Sequence, residues 1–330
     1  MKLSDIGERA LVEIARKTFK RGPPVRVGIG DDAAVIDLDH KYLVATTDMI
    51  IESTNFPVGT KPEQIGRKAV VVNLSDLAAM GAEPLGLIFS VSLPRELDVM
   101  FIKRLMKSMD REARKYKTYV VGGDLDESNE IMISGAAFGL AKRNQLLKRS
   151  EVKKGDVVAV TGELGAASAG LKILQKKLSD PKYKKLVKAQ LEPIARVKEG
   201  ITLARSGSVK AATDITDGLA SSLWQVACES EVKIMIEKGK IPVHPLVKKF
   251  SRQRGFNLDD FVLFGGEDFE LLFTVRSSAW DKVRRMLERA GISVSPIGKA
   301  IKGSGVYIRD NEKIEVLKNL GYEHFSGTHR

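Results

Sequence analysis

A chain of 330 residues is long for one domain, and 43% hydrophobic with 29% charged residues is a globular composition with material for sizeable cores. No stretch approaches the roughly 20 consecutive apolar residues of a bilayer-spanning helix, and a single cysteine, Cys228, excludes an intramolecular disulfide and a cysteine-rich zinc site. The net charge of +12 comes from Lys and Arg spread along the chain with few interleaved aromatics, a pattern of solvated helix faces that argues against nucleic acid as partner.

The first residues, MKLSDIGERALVEIARKTF, are amphipathic and lack the apolar core of a signal peptide, so a cytoplasmic protein with no membrane partner is expected. VGIGDDAAVIDLD (27–39) places Gly28 and Gly30 ahead of Asp31 and Asp32. It looks like a phosphate loop, but it has acids where such loops carry a lysine. YLVATTDMII (42–51) reads as a strand with Asp48 near its end, and residues 62–82 read as a helix with Pro62 in its first turn. LGLIFSVSLP (85–94) is a near-continuous apolar strand, and residues 98–116 form an amphipathic helix. TYVVGGDL (118–125) is a strand running into a glycine turn, and residues 131–141 give another strand.

From 142 to 156 the chain turns polar and basic, a plausible crossing between domains. Strand DVVAVTG (156–162) follows, then the turn ELGAASAG and a long helix. AATDITDGLASSLWQVA (211–227), FVLFGGEDFELLFTV (261–275), the helix beginning WDKVRRMLERAG and the hairpin-like GVYIRDNEKIEV complete the chain. Both halves mix strands and helices, which predicts two α/β domains with mixed sheets, 1–145 and 146–330. Cys228 lies in a helical segment and is expected to be a small buried residue, and His244, between prolines, to be structural.

Asp31, Asp32, Asp48, Asp76, Asp124, Asp214 and Asp217 all lie where an apolar element meets a turn, beside Gly, Ser or Thr. Asp also caps helices and closes turns. A set of carboxylates at such junctions, however, stays ionised only with positive charge between them, and no His or Cys stands nearby. Hard oxygen ligands point to Mg²⁺, which gathers phosphate oxygens in place of a lysine. The chemistry implied is phosphoryl transfer or nucleotide hydrolysis.

GIGDDAAV, TTDMIIE, NLSDLAAMGAEP, VVGGD, KKGDVVAVTGELGAASAGL, DITDGL and GGEDFELLFTV, in this order, resemble the thiamine-monophosphate kinases over essentially the whole chain. The resemblance implies two α/β domains whose N-terminal halves pair into a homodimer across a closed β-barrel. It also implies direct, in-line transfer of the ATP γ-phosphoryl group to thiamine monophosphate, with Asp76, Asp124 and Asp217 at the centre. Asp32, Asp48, Asp76, Asp124, Asp214 and Asp217 resemble the family's magnesium ligands, with Asp31 beside them and oxygens of Thr46 and Thr47 joining the shell. Gly123, Asp124, Arg149 and Thr216 match ATP-contacting positions; Asn55, Glu267, Tyr322 and Phe325 match substrate-contacting ones. Asn55 stands where many relatives carry His, and Asp268 is expected to stabilise its turn. Other enzymes of the superfamily use the same ATP and metal apparatus on other acceptors. The selenophosphate synthetases need an N-terminal Cys or selenocysteine and the hydrogenase maturation proteins a C-terminal Cys, and this chain has neither.

Overall fold

The computed structural model describes residues 2–57 and 59–325. The first half contains α1 (Gly7–Thr18), β1 (Val25–Val27), β2 (Ala34–Asp37), β3 (Lys41–Ile51), the single turn α2 (Glu52–Asn55), α3 (Pro62–Ala79), β4 (Glu83–Leu93), α4 (Val99–Lys115), β5 (Val120–Glu127) and β6 (Met132–Lys142). Its six strands make one mixed sheet in the order β1-β2-β3-β6-β4-β5, antiparallel except for the β4–β5 pair at one edge.

The second half contains β7 (Val157–Thr161), α5 (Ala166–Gln175), α6 (Lys184–Leu191), α7 (Val197–Arg205), β8 (Val209–Ile215), α8 (Leu219–Glu229), β9 (Lys233–Glu237), α9 (Pro245–Arg254), α10 (Leu258–Val262), β10 (Glu270–Val275), α11 (Trp280–Arg289), β11 (Val294–Ile301), β12 (Gly305–Asp310) and β13 (Lys313–Val316). Seven strands form the second sheet, β13-β12-β9-β11-β7-β10-β8. The predicted hairpin is β12–β13. Two α/β units with mixed sheets are thus present. β7, β8 and β10 are buried almost throughout, which explains their predominance of Val, Ala, Ile, Leu and Phe.

Helix α3 ties the two sheets together. Pro62 occupies its first turn, where a missing N–H costs nothing. It packs on β3 and β6 on one side and on α7 and β8 on the other, and no residue from Pro62 to Met80 is exposed. From Ala69 on, the helix is apolar nearly all round and belongs in an interior, so the polar Asn73, Ser75 and Asp76 there are placed for a reason. Arg67 fastens it to the second half through the Pro193 carbonyl at 2.7 Å and Glu192 at 3.8 Å.

Two side chains outside the site settle as local structure. His244 caps α9, its Nδ1 accepting from the Leu246 N–H at 3.2 Å. Cys228 does not follow the expectation of burial: it lies on the exposed face of α8, because Val226 and Ala227 take the core positions of that turn.

Candidate active site

Three carboxylates from distant parts of the chain meet at the seam between the halves. Asp32 precedes β2, Asp76 lies on α3 and Asp214 on β8, with one carboxylate oxygen from each within 4.8 Å of the others. The turn before Asp32 depends on Gly30, whose φ of +117° is a conformation few side chains tolerate. Asp214 reaches the cluster because β8 pairs with β10 beneath α3.

Hydrogen bonds hold the cluster in place. Thr46 Oγ1 donates to Asp76 Oδ2 at 2.5 Å, Ser75 Oγ to Asp214, and Thr213 Oγ1 to Asp32 Oδ1 at 2.9 Å. Arg149 places Nη2 2.6 Å and Nε 3.1 Å from the same Asp32 oxygen, and its backbone N–H donates to Asp31 at 3.1 Å. Asp32 Oδ2 is buried and has no hydrogen-bond partner among the described residues.

The electrostatics follow from burial and mutual repulsion. Burial raises Asp76 well above the ordinary carboxylate range, and Asp214, Asp48 and Asp32 push it further. Burial and then Asp32 lift Asp214 to about 7 and Asp31 to about 6. Asp48 and Asp217 rise to about 6 and about 7, again chiefly through burial. One arginine does not neutralise this concentration of acid. An orphaned carboxylate oxygen and three hard-oxygen donors from rigid elements fit a divalent cation such as Mg²⁺.

Beside the cluster opens a groove of about 1240 Å³ whose walls include Asp48, Asp217, Thr216, Asn55, Glu267 and Tyr322. Thr216 Oγ1 lies 3.4 Å from Asp214 Oδ1, and its carbonyl accepts from the Glu267 N–H at 2.7 Å. The Tyr322 N–H donates to the Asp217 carbonyl at 3.0 Å, which brings the 319–324 segment to the groove wall. Asn55 lines the groove, but its Oδ1 accepts from the Ile51 N–H and the Thr54 hydroxyl, both at 2.9 Å, so it also shapes its own turn. Asp268 caps α5 through the Gly165 N–H at 2.7 Å, a structural task at a neighbouring helix rather than in its own turn.

Other expected residues lie elsewhere. Strand alternation separates Thr46 and Asp48, on the α3 side of the first sheet, from Thr47, whose hydroxyl donates to the Gly135 carbonyl at 2.7 Å. Phe325 is half exposed and is not part of the groove wall; His324 is. Asp124 stands in register with Ser90, Ser134 and Met49, while Asp48 pairs with Gly135 in the next row. Asp124 therefore faces the opposite side of the sheet from Asp48, three strands or about 14 Å away. A Cβ at Gly123 would lie 2.0 Å from the Phe89 carbonyl oxygen, so strand packing by itself demands glycine there.

Two groove residues carry no signal read in the sequence. Lys68 on α3 is 5% exposed, its ammonium paired with Glu267 and donating to the Asn55 carbonyl at 3.0 Å. Gln190 on α6 is 3% exposed and donates to the other Glu267 oxygen. Lys68, Val72 and Asp76 form an i, i+4, i+8 stripe, so a lysine on the stripe that carries Asp76 was the available clue.

Two sheets joined by a buried helix, with acids from both halves meeting beside a groove, define a two-domain α/β protein with a site fit for a divalent cation. Residues 30–141 match the AIR synthase related protein N-terminal domain and residues 153–311 the corresponding C-terminal domain. Among curated relatives, the thiamine-monophosphate kinase of Pyrococcus abyssi is 36% identical over 97% of this chain and 96% of its own length. That of Aquifex aeolicus is 33% identical over 98% of this chain and 100% of its own. A solved structure, AaThiL complexed with AMPPCP and TMP, superposes with a TM-score of 0.86 at 32% identity, over 98% of this chain and 99% of that one. The chain belongs to the thiamine-monophosphate kinase family of AIR synthase related proteins.

Proposed function

We propose that this protein transfers the γ-phosphoryl group of ATP to thiamine monophosphate, giving ADP and thiamine diphosphate. The observation that carries the reading is the Asp32–Asp76–Asp214 cluster, built from both halves of the chain at one end of a groove walled by Asp48, Asp217 and Glu267. The relative solved with AMPPCP and TMP supports the pairing of nucleotide and acceptor. Asp32, Asp76 and Asp214, with Asp48 and Asp217 at the rim, would hold Mg²⁺, which supplies neutralisation of phosphate oxygens as charge moves between them. An acceptor phosphate oxygen forms the new bond to the γ-phosphorus as the bond to the β–γ bridging oxygen breaks, and ADP leaves. The acceptor is already ionised, so no side chain need remove a proton, and the residues act by positioning. Arg149 places a guanidinium beside Asp32, where it can meet a phosphate. With Mg²⁺ present, incubation with ATP and thiamine monophosphate should yield thiamine diphosphate, and EDTA should abolish it. Turnover only with a different acceptor would refute the substrate while leaving the fold untouched.

The active form proposed is a homodimer in the cytoplasm. The face of the first sheet away from α3 exposes Met49 and Ile88, and the edge strand β5 is exposed along its whole length. Pairing of two such sheets would cover that surface and carry Gly123 and Asp124 to a site they do not reach within one chain. Mixing inactive Asp76→Asn and Asp124→Asn dimers should then restore about a quarter of wild-type activity, because half of randomly exchanged dimers hold one intact site. Recovery of none after verified subunit exchange would show that Asp124 does not act across a dimer.

A further inference from the structure

The wall of the groove by Lys68 and Glu267 holds an acceptor with no donor among the described residues. Gln190 is 3% exposed and lines the groove, and its Nε2 must face Glu267 because an ionised carboxylate only accepts. That fixes the carboxamide orientation, and Oε1 is then buried with no hydrogen-bond partner among the described residues. A buried amide oxygen left without a donor is costly, so such groups in native proteins have a partner in the functional state. Glu267 beside it is held by Lys68 on one oxygen and Gln190 on the other, on a backbone with φ of +66°. Each carboxylate oxygen keeps a further lone pair. The two side chains therefore offer adjacent acceptors, both immobilised, to a ligand in the groove.

Position along the groove says which part of a ligand meets them. Lys68 and Asp76 share one stripe of α3 and lie about 12 Å apart along its axis at 1.5 Å per residue. A phosphorylated ligand with its phosphate at the acid end extends its organic end to Lys68, Glu267 and Gln190. We infer that Gln190 is a specificity-determining residue, its Oε1 accepting one N–H of an exocyclic amine on the substrate's heteroaromatic ring while Glu267 accepts the other. This rests on thiamine monophosphate as acceptor, whose aminopyrimidine carries such an amine at the end remote from its phosphate. Lys68 acts through Glu267 as a positioning residue, holding the carboxylate aimed.

The test compares thiamine monophosphate with two analogues, one with hydrogen and one with oxygen in place of the exocyclic amine. Wild-type enzyme should prefer the amine by roughly 10- to 100-fold in kcat/KM, since a missing donor leaves buried acceptors unpaired. Gln190→Met, close in volume, should lose roughly tenfold of that preference through KM for the acceptor, with KM for ATP unchanged. Equal kcat/KM for amine and amine-free substrates in the wild type would overturn the inference, whether or not the variant folds. So would a folded Gln190→Met that keeps full discrimination. Absence of any wild-type turnover of thiamine monophosphate would instead strike the proposed reaction, and the role of Gln190 with it.

Discussion

Asp76→Asn should lower kcat by roughly 10²–10³-fold or more while the metal-free protein melts at the same temperature or higher at pH 8. The two effects share one cause. Asp76 lies half-buried on α3 against Asp214, Asp48 and Asp32, so an ionised carboxylate there calls for a cation beside it. Asparagine keeps the acceptor for the Thr46 hydroxyl and the shape of the side chain, but removes the charge. The cluster is thus a place where stability is given up for function. Steady-state kinetics and calorimetry without metal check both halves. Activity within tenfold of wild type would remove Asp76 from the reaction, and a lower melting temperature would show that its charge is not a burden to the fold.

The second large effect expected is a pH-dependent response to Mg²⁺. Asp214 and Asp217 near 7, and Asp31 and Asp48 near 6, hold protons more tightly in the folded than in the unfolded chain, where a carboxyl titrates near 3.8. Between those values the folded state binds more protons, so what these groups contribute is fully present at low pH. It is lost as pH rises from about 4 through 7. Mg²⁺ requires the ionised forms and competes with the protons, so its stabilisation grows over the same window. At about 100 times Kd it should add about 2.7 kcal/mol at pH 8, a Tm increase of roughly 5 °C, and under about 2 °C at pH 5.5. EDTA should reverse both shifts. Equal shifts at the two pH values would mean that Mg²⁺ binds away from the buried acids.

The parts of the site legible in the sequence are those fixed by local periodicity and turn chemistry. Asp32 after a glycine turn, Asp76 at the end of a helix begun by Pro62 and Asp214 at a strand end were readable because rigid elements announce where a side chain will be aimed. The separation of Thr47 from Thr46 and Asp48 was readable too, since a strand alternates faces, but three neighbouring polar residues invite grouping. Asp124 was read just past a glycine turn, but Gly122 and Gly123 continue β5 through it, and its facing side depends on β4–β5 pairing at the sheet edge, which chain order does not reveal. Gln190 had no signal at all. Its position comes from α6 packing near the 265–267 turn, a contact set by the whole fold rather than by any spacing. Cys228 misled because a small apolar residue in a helix is usually inside, and only the rotation of α8 decides otherwise.

Because α3 from Lys68 onward has almost no surface turned to water, that stretch has no independent existence as a helix. Outside the finished molecule, KAVVVNLSDLAAMGA is a sticky segment with little to solvate it, and its two functional side chains, Lys68 and Asp76, have no fixed relation to their partners. The metal ligands and the substrate end of the groove must therefore come into being together, in the last cooperative step of folding. A partly folded or newly made chain would offer no half-built site to capture a stray cation or nucleotide. Substitutions along this one helix, even those that touch no ligand, would reach function first through the yield of folded molecules.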